Sequence, residues 1–123
     1  VRIVLAALLM LVVLPARAEW VKTGENASGV YYFDPATVFK EGDLRRVWQM
    51  RDLKVREKDG ELSRFGQYEY DCKGELRRIR FLSTHDGPMT TGKTIVGQTA
   101  AGSWSPVPSD TNAAVVLRFV CSH

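Results

Sequence analysis

The sequence predicts an α+β fold: a single antiparallel β-sheet of about five or six strands in meander order, with one C-terminal α-helix packed on one face and tethered by a disulfide. Three observations carry this expectation. Segments that alternate between polar and apolar residues follow one another through short turns. That suits antiparallel neighbours, because parallel ones need long crossovers. The last stretch changes period: Ala113, Val116, Leu117, Val120 and Cys121 fall at i, i+3, i+4, i+7 and i+8, one stripe of a helix. The only two cysteines, Cys72 and Cys121, sit at the end of one alternating segment and on that helical stripe. At 123 residues the chain holds enough material for one domain.

The first eighteen residues, VRIVLAALLMLVVLPARA, carry Arg2, an apolar run from Ile3 to Leu14 and the small-x-small sequence Ala16-Arg17-Ala18. This pattern predicts an export signal over 1–18, leaving the domain at 19–123. The apolar run falls short of the roughly 20 residues that span a bilayer. Removal takes Arg2 and Arg17, so the net charge falls from +3 to +1 and gives no support to a nucleic-acid partner.

Trp20 to Thr23 reads as a first strand, and GENASG as a loop. Val30 to Asp34 is rich in β-branched and aromatic residues and reads as a second strand. Pro35 is expected to stop it, with DPATV forming one turn. After the KEGD turn, residues 44–55 form the third strand, with Trp48 and Met50 on one face. Asp59-Gly60 signals the next hairpin. In residues 63–72, Tyr68, Tyr70 and Cys72 face one way and Gln67, Glu69 and Asp71 the other. KGE at 73–75 is a turn with Gly at its centre. Residues 76–85 follow, with Ile79, Phe81 and Ser83 on one face and Arg78, Arg80 and Leu82 on the other. TIVGQ is a short last strand. Ser109 or Asp110 is placed to cap the helix, and Arg118 lies where a cation suits the helix dipole.

An exported protein meets an oxidising compartment, so Cys72 and Cys121 are expected to pair and to staple the helix onto the sheet. A metal site is not expected, because two Cys and two His at 72, 85, 121 and 123 lack ligand spacing. No nucleophile elbow, zinc-protease helix, phosphate loop or dinucleotide fingerprint is present, so an enzyme is not expected. His85 and His123 are expected to be solvated, and most carboxylates fall in turns. The aromatics Trp20, Tyr31, Phe33, Trp48, Tyr68, Tyr70, Phe81 and Trp104 are expected in the core.

One local concentration of charge stands out: Lys73, Arg77, Arg78 and Arg80, offset only by Glu75. Two readings stay open. In one, Arg78 and Arg80 form a solvated strand face, ion-paired with Glu69 and Asp71 on the neighbouring strand. In the other, the cluster is an anion-binding surface.

The segments GVYYFDPATV, RRVWQMRDLK and YEYDCKGELRRIRFLSTHDG, with Trp104 before SPVPSD and the final Val120-Cys121, together resemble the surface-adhesin protein E family of bacterial exported proteins. The resemblance covers nearly all of 19–123. It implies the same sheet, helix and disulfide read from periodicity. It also implies a non-enzymatic binding protein, with a host extracellular-matrix or other protein as partner, a homodimer, and haem as a ligand. The adhesin that names the family is lipid-anchored through a cysteine at its cleavage site, whereas residues 15–19 here hold none. The mature chain is therefore expected to carry no membrane anchor and to reside in the periplasm, the medium or at the cell surface. Binding is expected through the sheet face or the basic strand. The alternatives are a periplasmic binder of a small ligand such as haem, with His85 as the ligand residue, and a small periplasmic structural or inhibitory protein.

Overall fold

The computed structural model describes residues 19–98 and 101–122. The expected export segment 1–18 and His123 lie outside the described residues. The elements are β1 (Val21–Glu25), β2 (Gly29–Glu41), β3 (Leu44–Leu53), β4 (Ser63–Asp71), β5 (Leu76–His85), a 3-10 turn (Pro88–Thr90), β6 (Thr94–Gln98), the two-residue β7 (Ser105–Pro106) and α1 (Asn112–Cys121). Strands β1 to β6 pair in sequence order, all antiparallel, and β7 pairs with β5 at Leu76 and Arg77. The sheet is the expected open meander, with α1 on one face and a short 3-10 turn, Pro88–Thr90, over part of the other.

Pro35 does not end the second strand. β2 runs on to Glu41, and the DPATV segment is absorbed as an irregularity between Asp34 and Phe39. Asp34 Oδ1 accepts from the Ala36 amide, and the Thr37 hydroxyl donates to the Asp34 carbonyl while accepting from the Trp48 amide. These bonds replace the ladder contacts that a proline cannot make, so the chain bulges and keeps its direction.

The Asp59-Gly60 hairpin lies where expected. The Gly60 amide donates to the Glu57 carbonyl, and Gly60 takes φ 94°, a left-handed backbone that glycine adopts without strain. In the turn between β4 and β5 the left-handed residue is Glu75 (φ 54°) rather than the central Gly74. The Asp71 carboxylate holds this turn by accepting from the Lys73 and Gly74 amides, so it is not the partner of Arg80 that alternation suggests.

Helix α1 begins one residue later than the expected caps. Asp110 adopts φ 67° to turn the chain, and Thr111 becomes the N-cap, its Oγ1 accepting from the Ala114 amide at 3.2 Å. Arg118 occupies the last turn as expected. The helix buries Ala114, Val116, Leu117 and Val120, three of which pack with Phe33, Val47 and Tyr70 from the sheet. The far end is fixed twice. Cys72 and Cys121 form the expected disulfide, and Arg45 Nε donates to the Val120 carbonyl at 3.1 Å. Of the aromatics expected in the core, Phe33 and Tyr70 are buried there, while Trp48, Tyr68, Phe81, Tyr31, Trp20 and Trp104 are only half-buried. A single ten-residue helix cannot cover a sheet of this width.

The decisive irregularity lies between β4 and β5. Gln67 pairs with Phe81 but Tyr68 pairs with Ile79, so Arg80 is the extra residue of a bulge. A one-residue bulge inverts the facing of everything beyond it. Phe81 and Ser83 therefore share the face of Arg78, opposite the helix, and Leu82 joins Ile79 on the helix side. That overturns the strict alternation expected through 76–85. Gly66 stands beside this bulge, and a Cβ there would meet the Phe81 carbonyl oxygen at 2.3 Å. Gly66→Ala is expected to destabilise the protein by about 1–3 kcal/mol through this overpacking. An unchanged thermal midpoint would show that the bulge shifts freely.

Candidate functional site

The sheet divides the sequence-predicted basic cluster. Arg77 lies on the helix side, with its guanidinium 4.9 Å over the Tyr68 ring. Arg78 and Arg80 reach the face opposite α1. Lys73 is exposed in the turn after β4. The structure thus brings Arg78 and Arg80 together and separates Arg77 and Lys73 from them.

What holds Arg78 and Arg80 is Glu69, whose side chain is 0 % exposed. Register places Glu69 opposite Arg78 on β5 and opposite Arg46 on β3. Arg78 Nη2 lies 2.6 Å from Glu69 Oε1, Arg46 Nε 2.9 Å from Oε2, and Arg80 Nη1 3.5 Å from Oε2. Burial by itself would raise the carboxyl pKa. Hydrogen bonds from Arg46 and Arg78, with the charges of Arg78 and Arg80, outweigh it and hold Glu69 below its ordinary range. Arg46 also approaches Glu41 at 3.5 Å. Three guanidiniums thus share one buried and one exposed carboxylate, which leaves positive charge at the surface. Their side chains are 26–31 % exposed, so each guanidinium is locked on one side and open to solvent on the other. Arg46 was not singled out by sequence. Its signal is the pairing of β3 with β4, which puts an arginine opposite Glu69.

Aromatic rings flank this cluster. Trp48 stacks on Phe65 at 5.3 Å, and Phe81 meets both edge-on at 5.5 and 5.9 Å. Phe39 lies 5.7 Å under the Arg46 guanidinium and is 54 % exposed. Trp104, carried in by the segment before β7, stacks 4.5 Å from the Arg78 guanidinium. The face opposite α1 therefore joins a ridge of half-buried rings to pre-oriented arginines.

His85 is buried, not solvated as expected. The segment after β5, with its 3-10 turn at Pro88–Thr90, folds back over the ends of β3 and β4 on the face opposite α1: the Met89 amide donates to Asp52 Oδ1 and the Thr90 amide to Ser63 Oγ. The imidazole packs 5.7 Å from Phe65, its Nε2 is 2.8 Å from the Ser83 hydroxyl, and its Nδ1 is buried without a partner. Neither ring nitrogen is presented to an iron atom, so these residues do not fit a haem liganded by His85.

Among the described residues, no helix is long and apolar enough to cross a membrane. A family model described as surface-adhesin protein E matches residues 20–122. No curated protein matches the chain. Among solved structures, crystal form II of Haemophilus influenzae protein E is similar with a TM-score of 0.62 at 13% identity, covering 87% of this chain and 90% of that one. The selenomethionine form of the same protein gives 0.67 at 11% identity, covering 87% and 88%. Protein E from non-typeable Haemophilus influenzae gives 0.57 at 12% identity, covering 87% and 78%. At such identities these likenesses concern the fold alone.

Proposed function

The chain belongs to the surface-adhesin protein E family, and from that premise we propose that it is an exported, non-enzymatic binding protein that engages a host extracellular-matrix protein through the face of its sheet opposite α1. One observation supports this reading above the rest. The face opposite α1, beyond the short 3-10 turn at Pro88–Thr90, presents aromatic rings beside three arginines whose conformations are already set by Glu69. Aromatic and arginine side chains dominate the energetic centres of protein interfaces, and a side chain held in place before binding loses less entropy on contact. The reading includes export through residues 1–18.

The test uses matrix proteins immobilised as a panel and the purified protein in solution. Phe39 is exposed enough to be replaced with little cost to folding. Phe39→Ser is expected to weaken retention at least several-fold while leaving the thermal midpoint nearly unchanged, and Trp104→Ala to weaken it similarly with a lowered midpoint, because its half-buried ring stacks on Arg78. Absence of wild-type retention on every member of the panel, with recovery in the periplasmic fraction only, would replace adhesion by a periplasmic structural or inhibitory role.

A further inference from the structure

The other face holds a second surface. A groove of about 490 Å³ lies between the start of α1 and the part of the helix-side sheet that the helix leaves bare. Tyr31, Arg51 and Arg64 line one end, and Tyr68 and Arg77 the other. The charge of Arg64 is already matched, because its guanidinium is paired with Glu61 through two hydrogen bonds. Arg51 and Arg77 differ. Among the described residues no carboxylate pairs with either. Arg51 lies 5.3 Å over the Tyr31 ring and donates from Nη2 to the Ser28 hydroxyl at 2.8 Å, yet its buried Nε–H has no acceptor. With no carboxylate offsetting either charge, an oxyanion arriving in the groove can form charge-assisted hydrogen bonds with these guanidiniums.

The spacing selects the ligand. Arg51 and Arg64 are register partners on β3 and β4, and Tyr68, under Arg77, is four residues further along β4 on the same face. At about 3.3 Å per residue along the strands and about 4.8 Å between strands, the two cationic ends, over β2 and β4, stand roughly 13–16 Å apart. One small anion cannot touch both. An extended peptide rises by the same amount per residue, so two acidic side chains about four positions apart can. We propose that this groove binds an extended acidic peptide segment of a protein partner, one carboxylate at Arg51 and a second at Arg77. The carboxylate on the groove lining is Asp110, beside the first turn of α1, and its charge opposes such a ligand.

The experiment titrates the purified protein with a labelled, end-capped Glu-Ser-Ser-Ser-Glu peptide, its Gln-for-Glu counterpart, and inorganic phosphate. The Glu peptide is expected to bind with an affinity that falls as salt rises. The Arg51→Gln/Arg77→Gln double variant is expected to bind it at least ten-fold more weakly, and Asp110→Asn about two- to three-fold more tightly. Phe39→Ser, on the opposite face, is expected to leave this binding unchanged, which separates the groove from the adhesion surface. Equal affinity of the wild type and the double variant, or equal binding of the Gln peptide, would overturn the proposal. Stoichiometric displacement of the peptide by low-millimolar phosphate would reduce the groove to a single-anion site. The Arg51 Nε–H resonance of the wild type gives a readout that needs no variant to fold: it is expected to shift on titration with the Glu peptide, and a stationary resonance also overturns the proposal.

Discussion

Glu69→Ala is expected to destabilise the protein by about 3–5 kcal/mol, because it strands three guanidiniums around a buried position that no longer holds a counter-charge. For a domain of this size the thermal midpoint should fall by more than about 10 °C. Glu69→Gln keeps an acceptor oxygen and the packing volume, and should cost less. The same carboxylate governs the acid limb of stability. Its folded pKa lies below the unfolded value, so its contribution is fully present above the ordinary carboxylate range near about pH 4.3. As pH falls from there towards the depressed folded pKa, the contribution is lost, since the unfolded chain takes up the proton first. Thermal unfolding of the wild type and Glu69→Gln between about pH 6 and pH 2.5 checks this. The acid loss should be shallower in the variant, and identical acid limbs would refute the role given to Glu69.

Removing the Cys72–Cys121 bridge should cost about 4 kcal/mol on the loop-entropy account, given a sequence separation of 49. Typical domains have about 5–15 kcal/mol in all, so this is a large share. The location sharpens the expectation. The bridge joins the end of β4 to the last residue of α1, and near it the helix end is otherwise held by Arg45 and the Val120 contact with the core. In the Cys72→Ala/Cys121→Ala variant, amides of α1 should therefore lose hydrogen-exchange protection before those of β3 and β4. Denaturant midpoints of the oxidised wild type and the double variant measure the cost. Coincident curves would mean that packing alone secures the helix.

Much of this architecture is local and therefore legible. β5 at 76–85 and β6 at 94–98 fall on the segments read from alternation. The helical stripe names Val116, Leu117 and Val120, and the cysteine pair follows from compartment and position. The Glu69–Arg78 pair was visible too, because both residues lie on consecutive strands joined by a short turn. Arg46 was not, since it comes from the far side of β4 and depends on register with β3. Nor was the burial of His85, which depends on a later segment folding back to Asp52 and Ser63.

By itself, the sequence determined most of the elements, their order, the staple and the family, because each is written in spacing along one stretch of chain or in the identity of its residues. The tertiary structure alone decided which surface each charge serves. Pro35 bends β2 into a bulge instead of ending it, Thr111 takes the cap after Asp110 turns left-handed, and the bulge at Arg80 sends Phe81 across the sheet. The physical reason is the strand period of two: one inserted residue reverses the facing of all that follows, and only the neighbouring strand's register decides where that residue goes.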